Sequence, residues 1–226
     1  MQPIDLSGKR ILLTHAEAFM GPALHDMFKR CGAEVIAAEG ALAEPDEAQA
    51  LIGRAGRIDA LVANLGVPAP STPAVDVSND EWRLMFSHMV DPLQRLVRAA
   101  LPDMIERKSG KILLMGSASA LRGIKRASSY SAARGAQLAY VRAVALEAAP
   151  HNVQINAIAQ NFVDNPTYFP EEIQANPAFQ ARLKREVPLG RLVSAEEDAS
   201  FAAYLCSDAA NCFVGQIFPV CGGWAD

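Results

Sequence analysis

Apolar positions along the chain form short runs that alternate with stretches of helical periodicity. Lys9 to His15 is a compact apolar run of strand length, followed by a helix-like segment from Gly21 to Cys31 and a second strand-like run from Ala33 to Ala38. Ala48 to Ala55 reads as a helix and Ile58 to Asn64 as a buried strand. Asp80 to Lys108 carries helical periodicity that Pro92 should interrupt once, because proline lacks the N–H a helix interior needs. Lys111 to Gly116 is the next strand, an alanine-rich helix runs from Ser128 to Ala149, and a strand follows at Val153 to Ile158. After an irregular stretch rich in Pro and Asn come a helix near Ala195 to Ser207 and a last strand at Gln216 to Val220. This alternation predicts a doubly wound, mostly parallel α/β sheet with helices on both faces, its ligands lying outside the carboxyl ends of the strands.

Composition narrows the partners. With 226 residues, 50% of them hydrophobic and 20% charged, the chain is long enough for one well-buried domain spanning 1–226 and too short for two obvious ones. A formal charge of -4 and no dense Lys/Arg block argue against a nucleic-acid binder. Cys31, Cys206, Cys212 and Cys221 have neither metal-ligand spacing nor the density of a secreted disulfide scaffold, which points to reduced thiols in a cytoplasmic protein with no metal. No signal peptide is recognisable and no apolar run is long enough to cross a bilayer, so no membrane partner is expected.

The turn after the first strand is where a dinucleotide-binding sheet holds its cofactor, and such turns are glycine-rich because only glycine lets the backbone approach a pyrophosphate. Here it reads Thr14-His15-Ala16-Glu17-Ala18-Phe19-Met20-Gly21, so that of a T-G-x-x-x-G-x-G pattern only Thr14 and Gly21 remain. Phe19 fills volume that a phosphate or nicotinamide needs. The path from Ala38 to Ile58 has room for roughly one helix where dinucleotide folds place a helix, a strand and another helix. Glu39, just past the second strand, is either a solvated surface residue or a partner for ribose hydroxyls.

A second motif is Ser117-(x12)-Tyr130-(x3)-Arg134. Ser117 lies just past a strand end, and Tyr130 and Arg134, four apart on a helix, share a face. A guanidinium roughly 4 Å from a phenolate, in an effective dielectric near 20, attracts it by about 4 kcal/mol before desolvation, enough to make Tyr130 a general base near neutral pH. Ser117 would hold the substrate oxygen.

These residues, with Asn64 and Gly66, the Tyr130-Ser131-Ala132-Ala133-Arg134 helix and the final Gly222-Gly223, resemble the short-chain dehydrogenase/reductase superfamily, a Rossmann-like fold, along nearly the whole chain. Thr14-(x4)-Phe19-x-Gly21 combined with Ser117, Tyr130 and Arg134 resembles its halohydrin dehalogenase branch, in which an anion site replaces the dinucleotide. That resemblance implies an enzyme without cofactor: Tyr130 takes a proton from a vicinal haloalcohol held by Ser117 and Tyr130, the alkoxide displaces halide, and an epoxide, a halide and a proton result. The reverse reaction opens epoxides with small anions. Dehydrogenases of the superfamily carry Lys where Arg134 stands, because that Lys also binds nicotinamide ribose; Arg suits polarising the tyrosine alone.

The resemblance further implies a halide site where nicotinamide would lie. Gln160, Asn161, Phe162 and Val163, in the loop after the sixth or seventh strand, would aim backbone N–H groups inward and Phe19 a positive ring edge; Asn161 either adds its amide or bonds local backbone. Leu121, Tyr168 and Phe169 would line the substrate cavity or serve as core. His88 stands where relatives often have a relay Asn, and Leu65 where some carry a carboxylate, so Arg134 must find another partner or remain hydrated. His25 and His151 read as exposed helix residues, Trp82 as helix packing, and Trp224 as either packing or a pocket cover. Small-residue helices at Asp91 to Lys108 and Ser128 to Ala149 suggest a homotetramer, with a dimer as alternative. Two rival readings are an NAD(P)-dependent reductase with a modified nucleotide loop and a catalytically silent scaffold.

Overall fold

The computed structural model describes residues 4–225. Six strands, β1 (Arg10–Thr14), β2 (Glu34–Ala38), β3 (Ala60–Asn64), β4 (Gly110–Ser117), β5 (Val153–Gln160) and β6 (Ile217–Val220), form one all-parallel sheet in the order β2-β1-β3-β4-β5-β6. The α-helices are α1 (Gly21–Arg30), α2 (Glu47–Ala55), α3 (Asn79–Glu106), α4 (Ser119–Arg122), α5 (Ser128–Ala148), α6 (Glu171–Gln174), α7 (Pro177–Glu186) and α8 (Ala195–Cys206). α1 and α8 pack together on one face, around Leu13, Leu24, Phe28 and Ala202; α2, α3 and α5 cover the other, around Leu12, Leu96, Val141 and Ile155. The expected Rossmann-like α/β sheet is present, and its strands are parallel throughout because every connection carries a crossover.

Only α2 lies between β2 and β3, as the short path from Ala38 required, so β2 is the sheet's edge. Pro92 does not interrupt α3, which runs unbroken through Pro92 and Pro102. Proline in a helix interior costs roughly 3 kcal/mol, and burial of Met85, Met89, Leu93, Leu96 and Val97 along the same helix outweighs it. The irregular Pro/Asn stretch contains α6 and α7; Pro177 opens α7 at a position where its missing N–H is not needed, behind a cap from the Asn176 side chain. Trp82 is 45% exposed and stacks only on Phe86, so it is surface rather than core packing. His25 and His151 are half-buried rather than exposed. The loop Gln160-Asn161-Phe162-Val163 follows the fifth strand, not a sixth or seventh. Among the described residues no helix is long and apolar enough to cross a membrane.

Strand order reverses at β1 and β3, and the crevice between their carboxyl ends is where doubly wound sheets bind ligands. The β1–α1 turn that borders it is held by Asn64 at the tip of β3. Asn64 Nδ2 donates to the carbonyls of His15 and Ala18, both at 3.0 Å, and Thr14 Oγ1 donates to the Asn64 carbonyl at 3.1 Å. His15 (φ 46°) and Phe19 (φ 53°) are left-handed, the backbone that glycine adopts without cost. Gly21 is indispensable for a different reason: a Cβ there would lie 2.2 Å from the His15 carbonyl oxygen and 2.6 Å from the Ala16 carbonyl carbon. Gly21→Ala should therefore destabilise the fold by about 2 kcal/mol or more in urea denaturation. Gly53→Ala, inside α2 with nothing within 4 Å of the added carbon, should instead stabilise it by about 0.5–1 kcal/mol. Equal effects at the two sites would contradict this account of the turn.

Candidate active site

A cavity of about 310 Å³ opens over the carboxyl ends of the central strands. Ser117, Tyr130 and Arg134 line it together, as do Phe19, the Gln160–Val163 segment, Tyr168 and Phe169. Leu121 does not: it packs beneath, against the cluster that includes Ala118, Phe162 and Trp224, because the short helix α4 turns it inward. Ile124 and Trp224 line the cavity instead.

Ser117 ends β4 and is buried; its hydroxyl donates to Ser119 Oγ at 2.9 Å and accepts the Ser119 N–H at 3.2 Å, which fixes its rotamer at the cavity wall. Tyr130, Arg134 and Gln137 occupy positions i, i+4 and i+7 of α5 and so form one buried stripe. Arg134 Nη1 donates to the carbonyls of Leu65 (2.8 Å) and Met115 (3.3 Å) and to Gln137 Oε1 (3.0 Å). Gln137 Nε2 in turn donates to the Met89 carbonyl of α3 at 2.7 Å. Arg134 thus has main-chain and amide partners in place of the missing carboxylate. Gln137 did not enter the sequence reading, although its i+7 spacing from Tyr130 was the signal. The connection to α3 runs through Met89 rather than His88, whose Nδ1 is occupied by Ser87 and the Leu84 carbonyl of its own helix.

The electrostatic consequence is a buried cation, 5% exposed, with no carboxylate paired to it among the described residues and no acceptor for its Nε. Such a group favours any anion that forms beside it. Its Cζ lies 5.1 Å from the centroid of the Tyr130 ring. Burial pushes the Tyr130 phenol up, but Arg134, with polar contacts from Tyr168 and Ser117, outweighs burial and brings it below its ordinary value. Tyr168 moves the other way, raised by burial and by its neighbour Tyr130, and its hydroxyl donates to the Val67 carbonyl at 3.2 Å. The two phenols are therefore set apart, one poised to lose a proton and one to keep it.

The Gln160–Val163 segment departs from expectation in its donors. The Asn161 N–H is already bonded to the Val220 carbonyl (3.1 Å), and the Phe162 N–H to Asn161 Oδ1 (2.9 Å). Phe162 is left-handed (φ 51°), which folds the segment back along the cavity. Two of its main-chain donors are thereby spent, while the Asn161 side-chain Nδ2 bonds to no described residue. Arg182 also borders this wall, with its Cζ 5.4 Å from the Phe162 ring, and adds a cation that the sequence did not signal.

The β1–α1 turn differs from a glycine-rich dinucleotide loop in the side chains that fill it. His15 and Phe19 stack at 6.1 Å with an interplanar angle of 10°, and Phe19 continues to Tyr168 at 5.9 Å. A pyrophosphate at this helix start needs free N–H groups, but the Gly21 N–H is bonded to the Ala18 carbonyl at 2.8 Å and Pro22 has none. Gly66 backs the Phe19 ring, and a Cβ there would sit 3.4 Å from it and 2.8 Å from Arg134 Nη2.

A profile of the family described as Enoyl-(Acyl carrier protein) reductase matches residues 5–225. The chain is 36% identical to the "Uncharacterized oxidoreductase YmfI" of Bacillus subtilis (strain 168) over 168 residues, 74% of this chain and 67% of that one. Its fold superimposes on a solved structure named "Dehalogenation enzyme" with a TM-score of 0.90 at 31% identity, covering 97% of this chain and 99% of the other. A halohydrin dehalogenase bound to ethyl (2S)-oxiran-2-ylacetate superimposes with a TM-score of 0.85 at 24% identity, over 96% and 97% of the two chains. With a family match across almost its full length and the all-parallel sheet in place, the chain belongs to the short-chain dehydrogenase/reductase superfamily.

Proposed function

We propose that this protein is a halohydrin dehalogenase that converts vicinal haloalcohols to epoxides without a redox cofactor, and opens epoxides with halide or another small anion in reverse. The observation that carries this reading is the Phe19 ring, backed by Gly66, stacked on His15 and tilted against Tyr168, which takes up the volume at the turn where a dinucleotide would lie. Similarity to the solved dehalogenation enzyme supports it.

In this mechanism the catalytic residues are Ser117, Tyr130 and Arg134. Ser117 and Tyr130 bind the substrate hydroxyl, and the Tyr130 phenolate, favoured by the unpaired Arg134 charge, takes its proton. The alkoxide oxygen bonds to the neighbouring carbon as the carbon–halogen bond breaks, giving an epoxide and a halide ion; the proton passes from Tyr130 to solvent. No electrons are gained or lost overall. Holding both reacting carbons in one cavity supplies the orientation an intramolecular displacement needs. Phe19, Gln160, Asn161, Phe162 and Val163 surround the departing halide, with Tyr168 and Phe169 on the substrate. Exposed Leu146 on α5 and Leu84 on α3 support assembly of the chain as a homotetramer or, alternatively, a dimer.

The second reading, an NAD(P)-dependent reductase, is favoured by the oxidoreductase names among the relatives and by a cavity of about 400 Å³ beside β2 that Glu39 and Arg54 border. The two separate in one assay. Purified protein given a vicinal bromoalcohol and no nucleotide should release bromide and acidify the medium; absence of both, or saturable binding of NADH or NADPH, would reverse the assignment. Tyr130→Phe should lower bromide release about a thousandfold with the fold intact. In the wild type the rate should rise with pH as Tyr130 ionises and level off below the ordinary phenol range, because Arg134 lowers that ionisation.

Gly66→Ala should crowd the Arg134 guanidinium and let the Tyr130 phenol drift back up. Tyrosinate absorbance during alkaline titration, with Tyr130→Phe as the blank for the other three tyrosines, reads this directly. An unmoved titration would show that Arg134 does not set the basicity of Tyr130.

A further inference from the structure

Asp198 is an aspartate with 0% exposure in the first turn of α8, where its two acidic neighbours Glu196 and Glu197 face solvent. Gln160 Nε2 donates to its Oδ2 at 2.6 Å, and its Oδ1 has no partner. Gln160 is among the residues that line the cavity, and its Oε1 takes part in no hydrogen bond among the described residues. One amide therefore bridges a buried carboxyl group and the proposed anion site. We propose that Asp198 is a positioning residue that decides whether the Gln160 amide turns its oxygen or its NH₂ toward the halide. This rests on the anion-site reading above and extends it.

A hydrogen-bond count at the pair gives the reason. When Asp198 is a carboxylate it can only accept, so the amide must offer Nε2 to it and leave Oε1 for the cavity, where a lone pair repels an anion. When Asp198 carries a proton, the same arrangement would strand that O–H on the unpartnered Oδ1. Rotating the amide by half a turn lets the acid donate to Gln160 Oε1 and releases Nε2, with its two hydrogens, to the cavity. On this wall the main-chain N–H groups of Asn161 and Phe162 are spent, so the Gln160 amide adds its donors to those of the Asn161 side chain and Arg182. Halide binding and proton uptake at Asp198 are then linked and reciprocal.

The proton equilibrium lies in a usable range. Burial raises Asp198 to about 7, with the Gln160 hydrogen bond pulling modestly the other way. The charged groups on the elements around α8 are committed elsewhere. On α1, His25 faces Asp26 (3.4 Å), Arg30 pairs with Glu196 (3.0 Å), and Lys29 is exposed. Arg191 pairs with Glu197 (2.8 Å), Asp164 accepts from Gln174 (2.8 Å), Lys111 of β4 donates to Asn211 (2.7 Å), and Asp208 pairs with Lys9 (2.9 Å). Across the cavity stand Tyr130, Arg134 and Tyr168, with His15 behind Phe19, and Arg182 borders the same wall as Gln160; none bonds to Asp198.

The test is saturable quenching of Trp224 fluorescence by sodium bromide, in a Trp82→Phe, Tyr130→Phe background that leaves one tryptophan and removes the phenol's own titration. With Asp198 present, bromide affinity should fall about tenfold between about pH 6 and pH 8, as the carboxyl loses its proton. Asp198→Asn, whose amide donates to Gln160 Oε1 at every pH, should bind bromide tightly and without that slope. Asp198→Leu, which removes donor and charge together, should also lose the slope. Retention of the tenfold pH dependence in either variant, or an Asp198→Asn affinity as weak as that of the parent at pH 8, would overturn the role of Asp198. No saturable quenching by bromide in the parent at either pH would overturn the anion site itself, and this inference with it.

Discussion

The Asn64 side chain, bonded to two carbonyls of the β1–α1 turn, is the constraint on which the rest of this site depends. It holds His15 and Phe19 in left-handed backbone, at a cost of roughly 1–2 kcal/mol for each side chain so placed. A glycine at either position would remove that cost, so the strain has to be offset by what the two rings do. They stack on each other, Phe19 lies tilted against Tyr168, and the ring of Phe19 lines the cavity beside Arg134. The turn keeps the backbone path of a glycine-rich loop while its side chains take up the volume that such a loop leaves open.

Among the residues that line the cavity, Phe162 is also left-handed and lies on the opposite wall. Its conformation bends the chain after β5 so that Gln160, Asn161 and Val163 all reach one cavity. Strain at both walls and a guanidinium between them with no carboxylate partner form a consistent set, in which the buried Arg134 is left to act on whatever negative charge the proposed reaction generates. Arg134 is kept in place by neutral acceptors alone, at the Leu65 and Met115 carbonyls and Gln137. A carboxylate in that position would hold the guanidinium as firmly and cancel the charge that lowers Tyr130.

The sheet, its order of strands and helices, and the missing crossover segment were legible because each rests on local pattern and chain length. Ser117, Tyr130, Arg134 and Phe19 were legible because strand ends and i, i+4 spacing place them without knowledge of packing. The failures have physical causes as well. Pro92 was read as a break because local propensity opposes helix there, and burial along α3 overrules it. Of the two roles open to Leu121, cavity lining or core, the structure takes core, because the direction of a one-turn helix such as α4 is set by tertiary contacts. The loop donors were misjudged since the Val220 carbonyl that occupies the Asn161 N–H comes from the far end of the chain.

Asp198 is the least legible of all. Glu196, Glu197 and Asp198 read together as an acidic first turn facing water, the usual arrangement at a helix N-terminus. Helical geometry nevertheless turns successive residues by about 100°, so the three acidic side chains fan out around the helix, and Asp198 is the one that faces the core. That member meets Gln160 at the end of β5, the strand that also carries the proposed halide loop. The carboxyl group there keeps one oxygen without a partner, and the amide it holds is the group whose two orientations the proposed switch uses.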